Sequence, residues 1–260
     1  MRTRSRGSLG PARQRLEHRV CALLIATSAA GCGGDRSGGA ERTGDSPAPT
    51  PAEAFASLEE TLASGGPPAR IAFDVVAEGA VPAEFTGALL LVGDGRERVE
   101  ASGSFAGQQL DVTLISDGDQ MFWTGSEVGV ETPEALRDAL AIGLTRMGIL
   151  HNLARLSGAA PPDHGDGGVR EWVVVTQGDP DSIDVPGFDP AGALVLDITV
   201  AGEPSGSFAL EFDGPLPRIR HQVVQFPQGI MRVTERYRVV EIGAEFPAGA
   251  FDTTPLDISR

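Results

Sequence analysis

The side chains able to do covalent or metal chemistry are few, and their spacing does not suit it. The tightest cluster is Asp163-His164-Gly165-Asp166, two carboxylates and an imidazole within four residues. It has no partner cluster elsewhere and lies in a Gly- and Pro-rich run, so it reads as a solvated loop, not a metal site. A calcium loop needs a longer ligand series ending in a bidentate Glu, and none is found. A serine nucleophile needs Gly-x-Ser-x-Gly at a strand-to-helix turn. Residues 202–206, GEPSG, miss that register, and Ser102 has Glu100 and Ser104 where the two glycines should stand. No phosphate loop and no dinucleotide fingerprint is present. His221, between Arg220 and Gln222 on an expected strand, reads as a surface or rim residue, and His151 as exposed packing. Asp94, Asp117 and Asp119 fall at turns, where Asp bonds its own backbone. The expectation is a protein that is not an enzyme and holds no cofactor and no metal.

The charges point the same way. All 21 basic residues are Arg, set against 36 acids, for a net charge of −15. That balance excludes a nucleic-acid binder, which needs a basic face for phosphates. Arg218 and Arg220 flank Ile219, and Arg232, Arg236 and Arg238 share one face of a strand at period two. Two readings stay open for these arginines. The simpler is a solvated outer face balancing Glu235 and Glu241. The sharper is a site for an acidic lipid headgroup or another anionic partner.

Two cysteines, Cys21 and Cys32, rule out a disulfide framework. Cys32 has a context of its own. Residues 1–19 hold six arginines and one acid, Glu17. Residues 20–30, VCALLIATSAA, are an uncharged run of 11. A transmembrane helix needs about 20 such residues; this length suits the core of a signal peptide. Ala29, Ala30 and Gly31 then lead to Cys32. The stretch resembles a bacterial lipoprotein signal, with Ala29 where Leu is usual. The resemblance implies cleavage after Gly31 and lipidation of Cys32. Losing residues 1–31 takes the charge from −15 to −20, so anchoring must come from acyl chains, not a basic patch. Gly33 and Gly34, with Asp only at 35, imply an outer membrane facing the periplasm over an inner one. Residues 32–51 then form the lipidated N-terminus and a Gly/Pro/Ser/Thr linker with a reach of roughly 25 Å. Residues 52–260 form the folded domain.

The domain opens with a short helix over 52–64, where Phe55, Leu58 and Leu62 recur on one face. Short alternating segments with turns about every 8–12 residues then suggest an antiparallel meander: 71–75, 85–92, 96–105, 110–114 and 120–123. A long helix is expected over 132–156, with Thr132 as N-cap and Pro133 in the first turn. Leu136, Leu140, Leu144, Met147 and Leu150 form one stripe of it, and Ile142, Ile149, Leu153 and Leu156 a second. A helix with one buried face needs only one. After a loop at 161–168, strands resume at 171–176, 193–200, 207–213, 219–226 and 230–242, with a turn-rich excursion at 184–192. The fold class is α+β, mainly β, with about ten strands and two helices.

That order, and the phrases Phe85-Thr86-Gly87, LISDGDQMFW (114–123) and the closing 216–252 stretch with Tyr237, resemble the LolA/LolB-like lipoprotein-carrier superfamily, which includes the LppX/LprG lipoproteins. The resemblance implies a half-open antiparallel barrel with an apolar concave face and a lid helix. It implies a cleft for acyl chains, lipids or lipoproteins. Leu140, Leu144, Met147, Ile149 and Leu153 of the lid helix are the expected ligand contacts, although a plain core helix would share the pattern. The alternative within the same fold is a protein-interaction module that senses envelope stress.

Overall fold

The structure is a computed structural model that describes residues 48–126, 128–158 and 169–253. Residues Pro47–Arg260 form one compact unit. The signal segment, the Cys32 lipidation site, most of the linker and the loop holding His164 lie outside the described residues.

Eleven strands make one antiparallel sheet: β1 (Ala69–Gly79), β2 (Ala83–Leu91), β3 (Glu97–Phe105), β4 (Gln108–Ser116), β5 (Gln120–Trp123), β6 (Val130–Glu131), β7 (Val173–Gln177), β8 (Ala193–Val200), β9 (Glu203–Asp213), β10 (Leu216–Phe226) and β11 (Gly229–Ile242). Their order is β6-β5-β4-β3-β2-β1-β11-β10-β9-β8-β7. Two meanders thus meet at a central seam, where the first and last strands pair, Val75 opposite Glu235 and Phe73 opposite Tyr237. Twist accumulates across so many strands and curls the sheet. The edge strands β6 and β7 do not pair with each other, so the barrel is half-open.

This topology dictates where the helices run. The chain leaves β6 at one edge and must reach β7 at the other. It crosses the concave face as α2 (Leu136–Ile142), a π-helical turn (Gly143–Met147) and α3 (Ile149–Ser157). Ile71, Phe73, Phe85, Leu89, Leu114 and Phe208 point up from the sheet into the same core as Leu136, Leu140, Leu153 and Leu156. α1 (Pro51–Leu62) lies beside them and sets Phe55 against Phe208, ring centroids 6.4 Å apart. Its start is a capping box: Thr50 Oγ1 accepts from the Glu53 amide, and Glu53 Oε2 accepts from the Thr50 amide at 2.8 Å.

Three expectations need correction. The helix expected over 132–156 is broken. It starts at Leu136, and Thr132 caps nothing; its hydroxyl pairs with Ser116 Oγ at 2.7 Å, and its amide donates to Asp119 O. The backbone at 130–131 is drawn into the sheet as β6, which the turn-rich sequence there does not signal. Trp172 ends a single helical turn, α4 (Val169–Trp172), and the strand begins one residue later. His221 is the third. It is only 4% exposed, because the 184–192 excursion folds back over the convex face. There Ile183, Val185 and Phe188 cover Val195, Ala209 and Val223 in a second, small core. The Phe188 ring sits 5.5 Å from the imidazole, and Glu211 Oε1 lies 3.3 Å from Nε2. Burial pushes the imidazole below its usual range, against the pull of Glu211.

The capping box sits on an exposed helix start, so Thr50→Ala should cost about 1 kcal/mol. Urea unfolding should show a lower midpoint with an unchanged slope.

Candidate functional site

An apolar cavity of about 280 Å³ opens between α3 and the concave face. Met147, Leu150, His151 and Ala154 form its helical wall. Val81 of the β1–β2 turn, with Phe105, Val224, Phe226, Met231 and Val233 of the strands, forms its sheet wall, and Ser205 and Gln222 add the polar atoms. Two larger depressions are less suited to an apolar ligand. A groove of about 350 Å³ on the convex face mixes Val75, Val76 and Phe85 with Asp74, Glu84, Thr86, Ser102, Ser104 and Gln109. A hollow of about 430 Å³ near Phe246 and Phe251 mixes them with Arg96, Asp117 and Asp252.

The structure distributes the five expected contacts unequally. Met147 lines the cavity. Leu140, Leu144, Ile149 and Leu153 are buried at 0–2% exposure in the main core. Sequence reasoning missed Leu150, Ala154 and the strand wall. Leu150 was placed on one apolar stripe, but the break in the helix turns the second segment, so neither stripe is continuous.

The break is held by charge. Gly148 takes φ +87°, a left-handed conformation that favours glycine. A Cβ there would lie 2.8 Å from both Gln222 Oε1 and Glu235 Oε1. Beneath it lie Arg220 and Glu235, directly opposite each other on β10 and β11 and both at 0% exposure. Arg220 donates to Thr145 O at 2.8 Å and Arg146 O at 2.6 Å, the carbonyls left free where the first helical segment ends. Its Nε donates to Gln222 Oε1, and the guanidinium stacks 3.6 Å from the Phe208 ring centroid. Glu235 accepts from the Leu150 amide at 3.0 Å, at the start of α3, and from Tyr237 Oη at 2.8 Å. A cation at a helix C-terminus and an anion at a helix N-terminus is the favourable arrangement for both dipoles. Burial holds the Arg220 pKa below its usual range, with Glu235 pulling it back up. Burial, then the Glu235 charge, lifts Tyr237 well above its usual range, so the phenol stays a donor.

This corrects the sequence reading of Glu235 and Arg220 as parts of a solvated face. The period-two rule places Glu235 with Met231, Val233 and Tyr237 on the inner side. Arg232 and Arg238 do point outward, paired with Asp184 and Asp74.

Two further arginines fasten the crossing segment. Arg146 grips both carboxylate oxygens of Glu59 on α1, at 2.6 and 3.0 Å, and donates to Val173 O at the start of β7. Arg137 on α2 donates to Leu62 O, Ala63 O and Pro67 O, capping the end of α1. Near it, Glu97 is fully buried with neither carboxylate oxygen hydrogen-bonded, and Arg137 Nη1 is likewise unpaired. Burial pushes the Glu97 carboxyl up to about 7, against the pull of Arg137. Among the described residues, no group of His, Cys, Asp and Glu could hold a metal ion.

Two outcomes follow. Arg220→Met strands Glu235 and two buried carbonyls and should cost about 3–5 kcal/mol; Arg220→Met/Glu235→Leu should recover part of that. The measurement is urea unfolding of the three proteins. For Glu97, the folded chain keeps a proton that the unfolded chain releases near 4.5. Stability should therefore fall as pH rises from about 4.5 to about 7 and level off above it. The Glu97→Gln protein should lack that fall when unfolding midpoints are measured against pH.

No protein-family model matches the chain, and no curated protein matches it. Among solved structures it is similar to MucB, at 14% identity over 79% of this chain and 63% of that one, with a TM-score of 0.37. The chain thus spans less than two thirds of the MucB length. MucB in complex with MucA(peri) is similar at 13% identity over 78% of this chain and 58% of that one, TM-score 0.32. A LolA superfamily protein from Nitrosomonas europaea is similar at 11% identity over 79% of this chain and 98% of that one, TM-score 0.35. This last is the superfamily that the sequence phrases resemble. At such values the likeness carries nothing about ligand or partner.

Proposed function

We propose that the chain is a non-enzymatic, membrane-anchored envelope lipoprotein that binds an acyl chain or similar apolar ligand under its crossing helix. The cavity between α3 and the sheet carries the reading. It is apolar on both walls, has a few polar atoms for orientation, and sits at the mouth of a half-open barrel. At about 280 Å³ it stands at the lower end of ligand pockets, which run from roughly 300 to 1,000 Å³. It takes a short apolar stretch as it stands. A longer chain requires α3 to lift, which would bring Ile149 and Leu153 to the ligand. Binding then gains about 25 cal/mol per Å² of apolar surface removed from water, less the cost of lifting. Attachment through acyl chains on Cys32 would place the domain at the outer membrane, facing the periplasm. No helix among the described residues is long and apolar enough to cross a membrane.

One observation favours a second reading, a protein-interaction or stress-sensing module of the same fold. Three arginines and four fully buried aliphatic side chains hold the crossing segment down, so beyond the small cavity the concave face is filled by the protein's own side chains.

Native mass spectrometry of residues 33–260, which include the whole compact unit, separates the two. The first reading expects an added mass that organic extraction removes and identifies as lipid, or uptake of added fatty acid. Ala154→Phe, which fills the cavity, should abolish the added mass while leaving the circular dichroism unchanged. A bare mass that stays bare with fatty acid and phospholipid favours the interaction module.

A further inference from the structure

The polar lining of the cavity has a direction. Gln222 stands on β10 between Arg220 and Val224 on the inner side of the sheet, and it is only 5% exposed. Its amide can be oriented in one way. A guanidinium only donates, so the atom 3.2 Å from Arg220 Nε must be the Gln222 oxygen, Oε1. Gly148 closes over the same oxygen, since a Cβ there would lie 2.8 Å away. The nitrogen, Nε2, therefore points off the guanidinium, and among the described residues it has no hydrogen-bond partner. It is not sealed in the interior as Glu97 Oε1 and Arg137 Nη1 are. The space beside Gln222 is the cavity.

Gln222 also marks the closed end of that cavity. Val233, opposite it on β11, and Leu150, at the start of α3, are 1% and 5% exposed. Phe226 lies four residues further along β10, roughly 13 Å away at the rise of a strand. It is 38% exposed beside the hairpin turn, so the mouth lies there. Ser205 stands nearer the mouth, because its neighbour Gly206 pairs with Val224. His151, on the helical wall, already has an interaction partner. The blind end thus presents two N–H donors of one fixed amide.

We infer that Gln222 determines which apolar ligands the cavity takes: those ending in an uncharged carbonyl group, which enter head first. The carbonyl oxygen accepts from Nε2, and the chain runs out past Phe226. The inference rests on the cavity reading above and names the chemistry of its ligand's head. A buried N–H without an acceptor is costly, so a ligand that brings an acceptor is favoured over a wholly apolar one. A charged head does not suit the place. Arg220 is fully engaged with two backbone carbonyls and Gln222, and Glu235 lies beside it. A carboxylate would be buried next to an anion with no cation of its own.

The test titrates ¹⁵N-labelled residues 33–260 with methyl octanoate, an uncharged ester that only accepts. The Gln222 side-chain amide, assigned by its absence in Gln222→Met and Gln222→Glu, should shift downfield as the ester binds. Gln222→Met removes both donors and should weaken the ester about tenfold. Gln222→Glu keeps an oxygen for Arg220 and should lose at least as much. Neither change should exclude xenon, an apolar probe that needs no donor. Octanoate at neutral pH should bind at least tenfold more weakly than the ester; equal binding places the head in solvent and overturns the head-first entry. Ester binding with an unmoved Gln222 amide, or binding indifferent to both substitutions, overturns the inference and leaves the cavity reading intact. Exclusion of xenon and ester alike sinks the cavity reading and the inference with it. If one variant fails to fold, the other assigns the amide, whose shift in the unsubstituted chain still decides.

Discussion

Arg220 and Glu235 face each other across the concave side of the sheet, both fully buried. Taking two charges out of water costs several kcal/mol each, and their mutual attraction alone seldom offsets it. Here the offset comes from a third party. A helix that breaks in a protein interior leaves carbonyls on one side and amides on the other without partners. Arg220 takes the carbonyls of Thr145 and Arg146, and Glu235 takes the amide of Leu150. Neither defect could be buried without the other. The charges make the break tolerable, and the break gives the charges their hydrogen bonds. Gly148 permits this because no side chain stands between the turn and the pair.

The break in turn follows from topology. Two meanders sharing a central seam leave their free ends at opposite edges of the sheet. The connection has to cross the full width of a curled surface. A straight helix would touch such a surface only along part of its length. Breaking at 143–148 lets the two segments follow the curvature, and it explains why apolar residues occur all round the segment. Leu136 and Leu140 look into one part of the core, and Leu153 and Leu156 into another. The cavity lies where the second segment stands off the sheet, beside Met147 and Ala154. Cavity and latch are thus two consequences of one bend.

The strands were legible because alternation at period two survives burial on one face. Ile71, Phe73 and Val75 point inward as their spacing implies, and the asymmetry of helix, meander, helix, meander is written in turn residues. What was not legible depends on contacts distant in sequence. Nothing near His221 signals that Phe188 covers it, since that contact spans a turn-rich excursion of uncertain course. Glu235 lies in a run of charged residues, TERYR, that looks solvated until its neighbours on the alternate face, Val233 and Tyr237, are counted. Gly148 carries no mark in the sequence that sets it apart within the helical run, because its partners come from strands more than seventy residues on.

The absence of lysine acquires a structural meaning here. Arg137, Arg146 and Arg220 each bind two or more backbone carbonyls at an element's end, from one planar group with fixed donors. A lysine ammonium is a point charge on a flexible stem and holds its hydration more strongly. Substituted at Arg220, it could not hold two carbonyls and stack flat on Phe208 together. Coding bias can explain why the chain has no lysine, but not why three of its arginines are arranged as clamps around the crossing segment. That arrangement fixes the segment at three separate points, on α1, on β7 and on the central strands. Any opening of the cleft must release the clamps near the cavity, Arg146 and Arg220, and can leave Arg137 in place as the pivot.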